Sequence, residues 1–306
     1  MKLSIGIPKT MKVAAMVQPW EDPLSGADVG KLMAVADKLG FYKCMLGEHF
    51  IIPKEHIELS GDWYFHTAVA LGFFGGQTTN LRLSSSISIL PLQNPIVQAK
   101  GWSTLDWLTG GRAEPIFGVG WLKEEFDMLG VPFSKRGAMA DEYIAAMIEL
   151  WTKDDPEFDG EFVKFKNCGF APKPIQKPHM PIWFGGDAPA VQRRVAKFGH
   201  GWSPFRTPPE TFPDCIDYIK SQPEYDGRHI DVFFALEMLN VGAHHEILDD
   251  PRAPGTADKQ KIIDQIGWLK ELGITETIVP LPPGLTGEQA WIDRQHWVAE
   301  EIMPAI

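Results

Sequence analysis

Four short runs in this 306-residue chain combine residue types that can do chemistry. Gly47-Glu48-His49-Phe50 places an imidazole beside a carboxylate, and an imidazole can accept, donate or shuttle a proton near neutral pH. A histidine bonded to a backbone carbonyl in a loop is the competing reading of His49. Gly185-Gly186-Asp187-Ala188 reads as the end of a strand opening a helix, where unpaired N–H groups face an anion. Gly118-Val119-Gly120 is a glycine turn that lets a backbone approach a flat or anionic ligand. It lacks the spacing of a dinucleotide fingerprint. His244-His245-Glu246 does not read as a metal site, because adjacent histidines diverge on a regular element and no third ligand is usefully spaced. Metal binding is therefore not expected.

The elements that must position these runs follow from periodicity. Residues 84–90 alternate polar and apolar up to Pro91, a helix spans 96–108, and a buried strand covers 113–117 before the glycine turn. A strand, helix, strand unit of this length predicts parallel pairing. Further strands are expected at 3–7, 42–46, 182–184, 200–203, 230–236 and 274–281. Helices are expected at 29–39, 64–76, 123–129, from a Ser134 cap onward, after an Asp187 cap, and over 287–303. Eight strands alternating with helices predict an α/β chain folded as a single (β/α)8 TIM barrel over 1–306. A hairpin around Asp159-Gly160 and a proline-rich linker at 172–181 form an insertion at about 154–180. The stretch 241–256 reads as a polar loop or lid. Pro115 in the fourth strand forfeits a ladder bond and predicts distortion there.

In such a barrel the strands' C-terminal ends carry the site, and Glu48-His49, residues 86–90, 118–121 and 185–187, and Trp202 all fall there. A net charge of −11 argues against nucleic-acid or anionic-membrane partners. The three cysteines, Cys44, Cys168 and Cys215, form no zinc or disulfide pattern, and no run is apolar enough for a signal or a membrane span. A cytoplasmic location is the expectation. Eleven tryptophans are many; most serve as core packing. Trp20, Trp63, Trp121 and Trp202 are the candidates for walls of an apolar substrate pocket.

The run LPLQNP, then TLDWLTGGR, GVGWLKEEFDMLGVPFSKRG and PKPIQKPHMPIWFGG resembles the luciferase-like flavin oxidoreductases, and most nearly their coenzyme F-420-dependent branch. The order and spacing of the pieces carry the resemblance, which extends loosely over nearly the whole chain. It implies reduced FMN or coenzyme F-420 as cofactor, delivered by a separate reductase, and hydride transfer or oxygen activation on a small apolar molecule. It implies that His49 faces the reactive ring, with Glu48 beside it. It implies a non-proline cis peptide at Ser86-Ile87 pressed against that ring, and ring contacts from Gly118, Val119 and Gly120. It places the cofactor phosphate between Gly185, Gly186, Asp187 and Arg136. The acidic residue that some relatives carry just after the glycine turn would fall near Leu122 and Lys123. A homodimer through helices beside the second and third strands is also implied. A non-catalytic flavin-binding barrel, or a hydrolase on the same architecture, is the alternative class.

Overall fold

The computed structural model describes residues 1–13, 16–241 and 256–306. The expected loop or lid falls on 241–256 and His244-His245-Glu246 within it, so 242–255 lie outside the described residues. The strands are β1 (Lys2–Gly6), β2 (Lys43–Leu46), β3 (Arg82–Ser85), β4 (Ser88–Ile89), β5 (Ile116–Gly118), β6 (Phe158–Asp159), β7 (Lys164–Phe165), β8 (Trp183–Gly185), β9 (Gly201–Ser203), β10 (Asp231–Val232) and β11 (Glu276–Ile278). The helices are α1 (Gly26–Leu39), α2 (Ile57–Ser60), α3 (Thr67–Gln77), α4 (Pro95–Leu108), α5 (Lys123–Met128), α6 (Arg136–Thr152), α7 (Pro189–Phe198), α8 (Phe212–Lys220), α9 (Lys259–Glu271) and α10 (Glu288–Trp297).

Parallel pairings run β11-β1-β2-β3 and β4-β5-β8-β9-β10. Parallel bridges Leu83 to Ala113 and Phe233 to Glu276 join the two sets, so the pairing returns to β1 and the eight expected strand positions form a ring. β3 and β4 are one strand interrupted by a cis peptide at Ser86-Ile87. Pro115 explains the thin pairing beside that break. It brings no N–H to the ladder, and serine hydroxyls take up the slack: Ser84 Oγ donates to Glu114 O at 2.6 Å and Ser85 Oγ donates to Ile116 O at 2.8 Å.

The floor of the ring is ionic. Lys43, fully buried, lies 2.9 Å from both Glu114 and Glu276, and its ammonium sits 3.9 Å from the Trp183 ring. Ser4 Oγ donates to Glu276 at 2.6 Å, and Arg82 also pairs with Glu114. Burial opposes the Lys43 charge, yet Glu276 and Glu114 hold its value above the ordinary one. Burial pushes Glu114 up, but Lys43 and Arg82 hold it below the usual range. Removing one partner from such a set costs about 3–5 kcal/mol, because a charge is left alone in the core.

Several local expectations are revised. Ser134 does not cap α6: it lies in a 3-10 turn, and the position before the helix is Lys135 without a side-chain cap. Asp187 does not cap α7, whose preceding residue is Ala188, although Pro189 does open the helix. The seventh strand is shorter than 230–236, because residues 236–240 turn into a 3-10 helix. The hairpin is present, but its turn covers 160–163, wider than an Asp-Gly pair. The Glu142 carboxylate on α6 shapes it by accepting from the N–H groups of Glu161, Phe162 and Val163. The linker 172–181 carries one of the two cis X-Pro bonds, Lys177-Pro178; the other, Ala171-Pro172, opens it.

Candidate active site

His49 leaves β2 through Gly47-Glu48 and is nine-tenths buried. Its Nδ1 lies 2.8 Å from Glu125 Oε2 on α5. The other oxygen of Glu125 accepts from Phe50 N at 2.6 Å and weakly from Ile51 N at 3.4 Å, so the carboxylate grips the histidine loop at three atoms. With Glu125 accepting, Nδ1 carries the proton and Nε2 is the basic nitrogen. Among the described residues Nε2 has no hydrogen-bond partner. Tyr64 and Trp121 meet the imidazole edge-on, with centroids at 4.9 and 6.1 Å. Burial, and then Glu125, hold the Tyr64 phenol above its ordinary value, so it stays protonated.

Glu125 was not legible as a site residue, yet one signal marks it. It shares a helical face with Leu122 and Phe126, both buried, whereas its neighbour Glu124 does not. An acid on an apolar stripe needs a partner, and here that partner is His49.

Glu48 points elsewhere. Its Oε2 accepts from Ser88 Oγ at 2.8 Å and Ile89 N at 3.0 Å, so it braces the strand after the cis bond. Its Oε1 is buried without a partner and borders a cavity of about 100 Å3 that Thr67 and Gln98 also line.

Ile87 fills the space that two glycines leave. A Cβ on Gly118 would stand 1.9 Å from Ile87 Cδ1, and one on Gly185 would stand 2.5 Å from Ile87 Cγ2. At both glycines the Ile87 side chain, next to the cis bond, occupies the space a Cβ would take. Gly120, at φ +77°, turns the chain where a side chain would strike Phe126 and Ile89, and Val119 packs against the core.

At the ends of β8 and β9, Asp187 Oδ1 accepts from the N–H groups of Phe205, Arg206 and Thr207, each at 2.9 Å. The carboxylate thus anchors the loop after β9. Arg136, at the start of α6, lies with its guanidinium 3.8 Å over the Phe133 ring and donates through Nη1 to Phe133 O, while its buried Nε has no partner. Arg194 of α7 clasps Asp141 at 2.5 Å and Gly137 O, which fastens α7 to the first turns of α6.

The tryptophans divide. Trp121 stands over His49, and Trp63, held by Lys9 O at 2.7 Å, is flanked by the Lys9 and Lys12 ammonium groups. None of Trp20, Trp63, Trp121 and Trp202 lines either cavity, and Trp20 and Trp202 are buried in the core. Trp202 instead donates to Gly186 O at 2.9 Å and fixes that glycine. The larger cavity, about 540 Å3, runs along β1 and β11 to the C-terminal ends of the strands. Met11 lines it and also packs against Gly47 and pairs with Tyr64, so the cavity adjoins the histidine loop.

Residues 9–242 match the family described as luciferase-like monooxygenase. An uncharacterised protein of Mycobacterium tuberculosis is 34% identical over 261 residues, spanning 81% of this chain and 85% of its own. The FMNH2-dependent dimethylsulfone monooxygenase of Pseudomonas putida is 29% identical over 142 residues, 45% of this chain and 39% of its own. Among solved structures, the coenzyme F-420-dependent tetrahydromethanopterin reductase of Methanopyrus kandleri superposes with a TM-score of 0.71 at 17% identity, covering 99% and 98% of the two chains. Among the described residues no helix is long and apolar enough to cross a membrane.

Proposed function

The chain belongs to the luciferase-like monooxygenase family, and from that premise we propose that it is an oxidoreductase working with reduced FMN or coenzyme F-420 on a small apolar substrate. The observation that carries the reading is the His49–Glu125 pair at the strand ends, which leaves Nε2 unpartnered among the described residues and beside two aromatic rings. The dependence of relatives on FMNH2 and on coenzyme F-420 supports the choice of cofactors.

The residues fit such a group. The buried, unpartnered Nε of Arg136 is suited to a phosphate oxygen, and a guanidinium binds phosphate through charge-assisted bonds. Gly186 and the opening of α7 would share that phosphate. The ring would lie against the Ser86-Ile87 step. When bound, the reduced cofactor supplies the hydride, or the electrons for oxygen. The chain's own part is proton handling and exclusion of water. His49 Nε2 takes or returns the accompanying proton, Glu125 fixes its tautomer and steadies the imidazolium, and Trp121 and Tyr64 limit solvent access.

Titrating the purified protein with FMN and F-420, oxidised and reduced, tests this reading. One of the two is expected to bind in the micromolar range or tighter with a shifted visible spectrum. No binding of either would remove the proposal, and binding without any turnover of the reduced form would favour a flavin carrier.

We also propose a homodimer. Val69 and Phe73 on α3, and Val97, Trp107 and Leu108 on α4, are exposed apolar residues on adjacent helices. A patch of this kind is normally covered. A single monomeric species in sedimentation at micromolar concentration would contradict it.

A further inference from the structure

Glu48, Thr67 and Gln98 line the smaller cavity, of about 100 Å3, where the end of β2 meets the first turns of α3 and α4. The three residues are 3%, 1% and 4% exposed. Among the described residues, Glu48 Oε1, Thr67 Oγ1 and Gln98 Oε1 are all buried without a hydrogen-bond partner. Glu48 gives its other oxygen to Ser88 Oγ and Ile89 N, both of which donate to it as to a carboxylate. The Gln98 amide nitrogen donates to Leu90 O at 2.8 Å and to Gln93 O at 3.4 Å, so its unpaired end is the oxygen, which can only accept. Buried polar groups are nearly always paired, so three unpaired oxygens around one cavity await a common partner.

Charge decides what that partner is. No basic side chain pairs with Glu48 among the described residues. His66, the one basic residue in the lining, is exposed, lies edge-on to Phe50 at 6.0 Å and makes no ion pair among the described residues. The α3 helix opens at Thr67, and a helix N-terminus supplies only about half a positive charge. Water can donate to the three oxygens but brings no charge to offset a buried carboxylate.

We propose that an alkali-metal cation, sodium or potassium, binds in this cavity through Glu48 Oε1, Thr67 Oγ1 and Gln98 Oε1, with water completing its shell. Ligands that are all oxygen suit a hard cation. A single carboxylate suits a single charge, whereas calcium sites draw on more carboxylate charge and magnesium demands near-ideal octahedral geometry. The volume leaves room for the ion and a few waters. The ion ties the end of β2, one residue before His49, to the starts of α3 and α4. Sequence spacing hides such a site, because its ligands come from three separate elements. Neither cofactor nor substrate is needed for this binding.

Melting of the full-length protein is followed in potassium, sodium and choline chloride at equal ionic strength. Potassium or sodium is expected to raise Tm by about 2–5 °C over choline, with saturation in the millimolar range. Glu48→Gln is expected to fold, because its amide oxygen still accepts from Ser88 and Ile89, and to lose the difference between salts. Thr67→Val exchanges the hydroxyl for a methyl group and leaves the carboxylate in place, so it tests the site even if Glu48→Gln does not fold. It is expected to need about 10-fold more of the ion for half of the effect. The proposal is overturned by equal Tm in the three salts, as a cavity filled by water alone predicts. A Glu48→Gln or Thr67→Val protein that responds to the salts as the wild type does also overturns it.

Discussion

His49 Nδ1 and Glu125 Oε2 stand 2.8 Å apart although 76 residues separate them in the chain. Barrel closure makes the contact. β2 delivers His49, β5 and its glycine turn deliver α5, and both end on the same rim of the ring.

If Glu125 positions the imidazole, Glu125→Gln should lower kcat by roughly 10–100-fold, with cofactor affinity nearly unchanged. The amide can still pair with Nδ1 but no longer steadies the imidazolium. An unchanged kcat together with a lowered Tm would make Glu125 a brace only.

Gly118→Ala should cost about 1–3 kcal/mol of stability, because the new methyl group would overlap Ile87 Cδ1. Ile87→Ala in the same chain removes the obstacle and should recover part of that loss, a coupling read by a double-mutant cycle in urea. Strict additivity of the two changes would show that Ile87 does not fill the glycine space.

Arg136→Ala should weaken binding of whichever cofactor the protein takes by about 10–100-fold, in line with loss of a charge-assisted contact. Among the described residues the guanidinium is held only by Phe133, so thermal stability should change little. Equal affinity in the variant would place the phosphate elsewhere.

His179 and His200 face each other at 5.6 Å, and burial lowers both below their ordinary value of 6.5. His200 Nδ1 accepts from Ile182 N and so needs its lone pair. The unfolded chain then binds more protons than the folded one just below pH 6.5. This stability is present above that pH and is lost as pH falls from about 6.5 through the lower folded values. Tm should drop between pH 7.5 and 5, and the drop should shrink in a His179→Gln/His200→Gln protein. A drop of equal size in that variant would assign it to other groups.

Much of the scaffold was readable because periodicity survives in a barrel. All eight strand positions were anticipated, as was the distortion at Pro115, and the cis bond sits where the family resemblance implied it. What could not be read was what each rim residue faces. Ile87 turned out to fill the space over Gly118 and Gly185, and Asp187 to hold three N–H groups of another loop rather than cap its own helix. Glu125 was hidden because its partner is remote in sequence. Trp20 and Trp202 show that aromatic content alone does not separate core from pocket.

The most direct measurement compares His49→Ala with the wild type for three quantities on one preparation: turnover of the bound reduced cofactor, cofactor Kd, and Tm. The account predicts turnover lowered by about 10²–10⁴-fold, the usual worth of a positioned acid/base, with Kd and Tm nearly unchanged. Near-normal turnover per folded molecule, with a lower Tm, would contradict it and leave His49 as a brace for its loop.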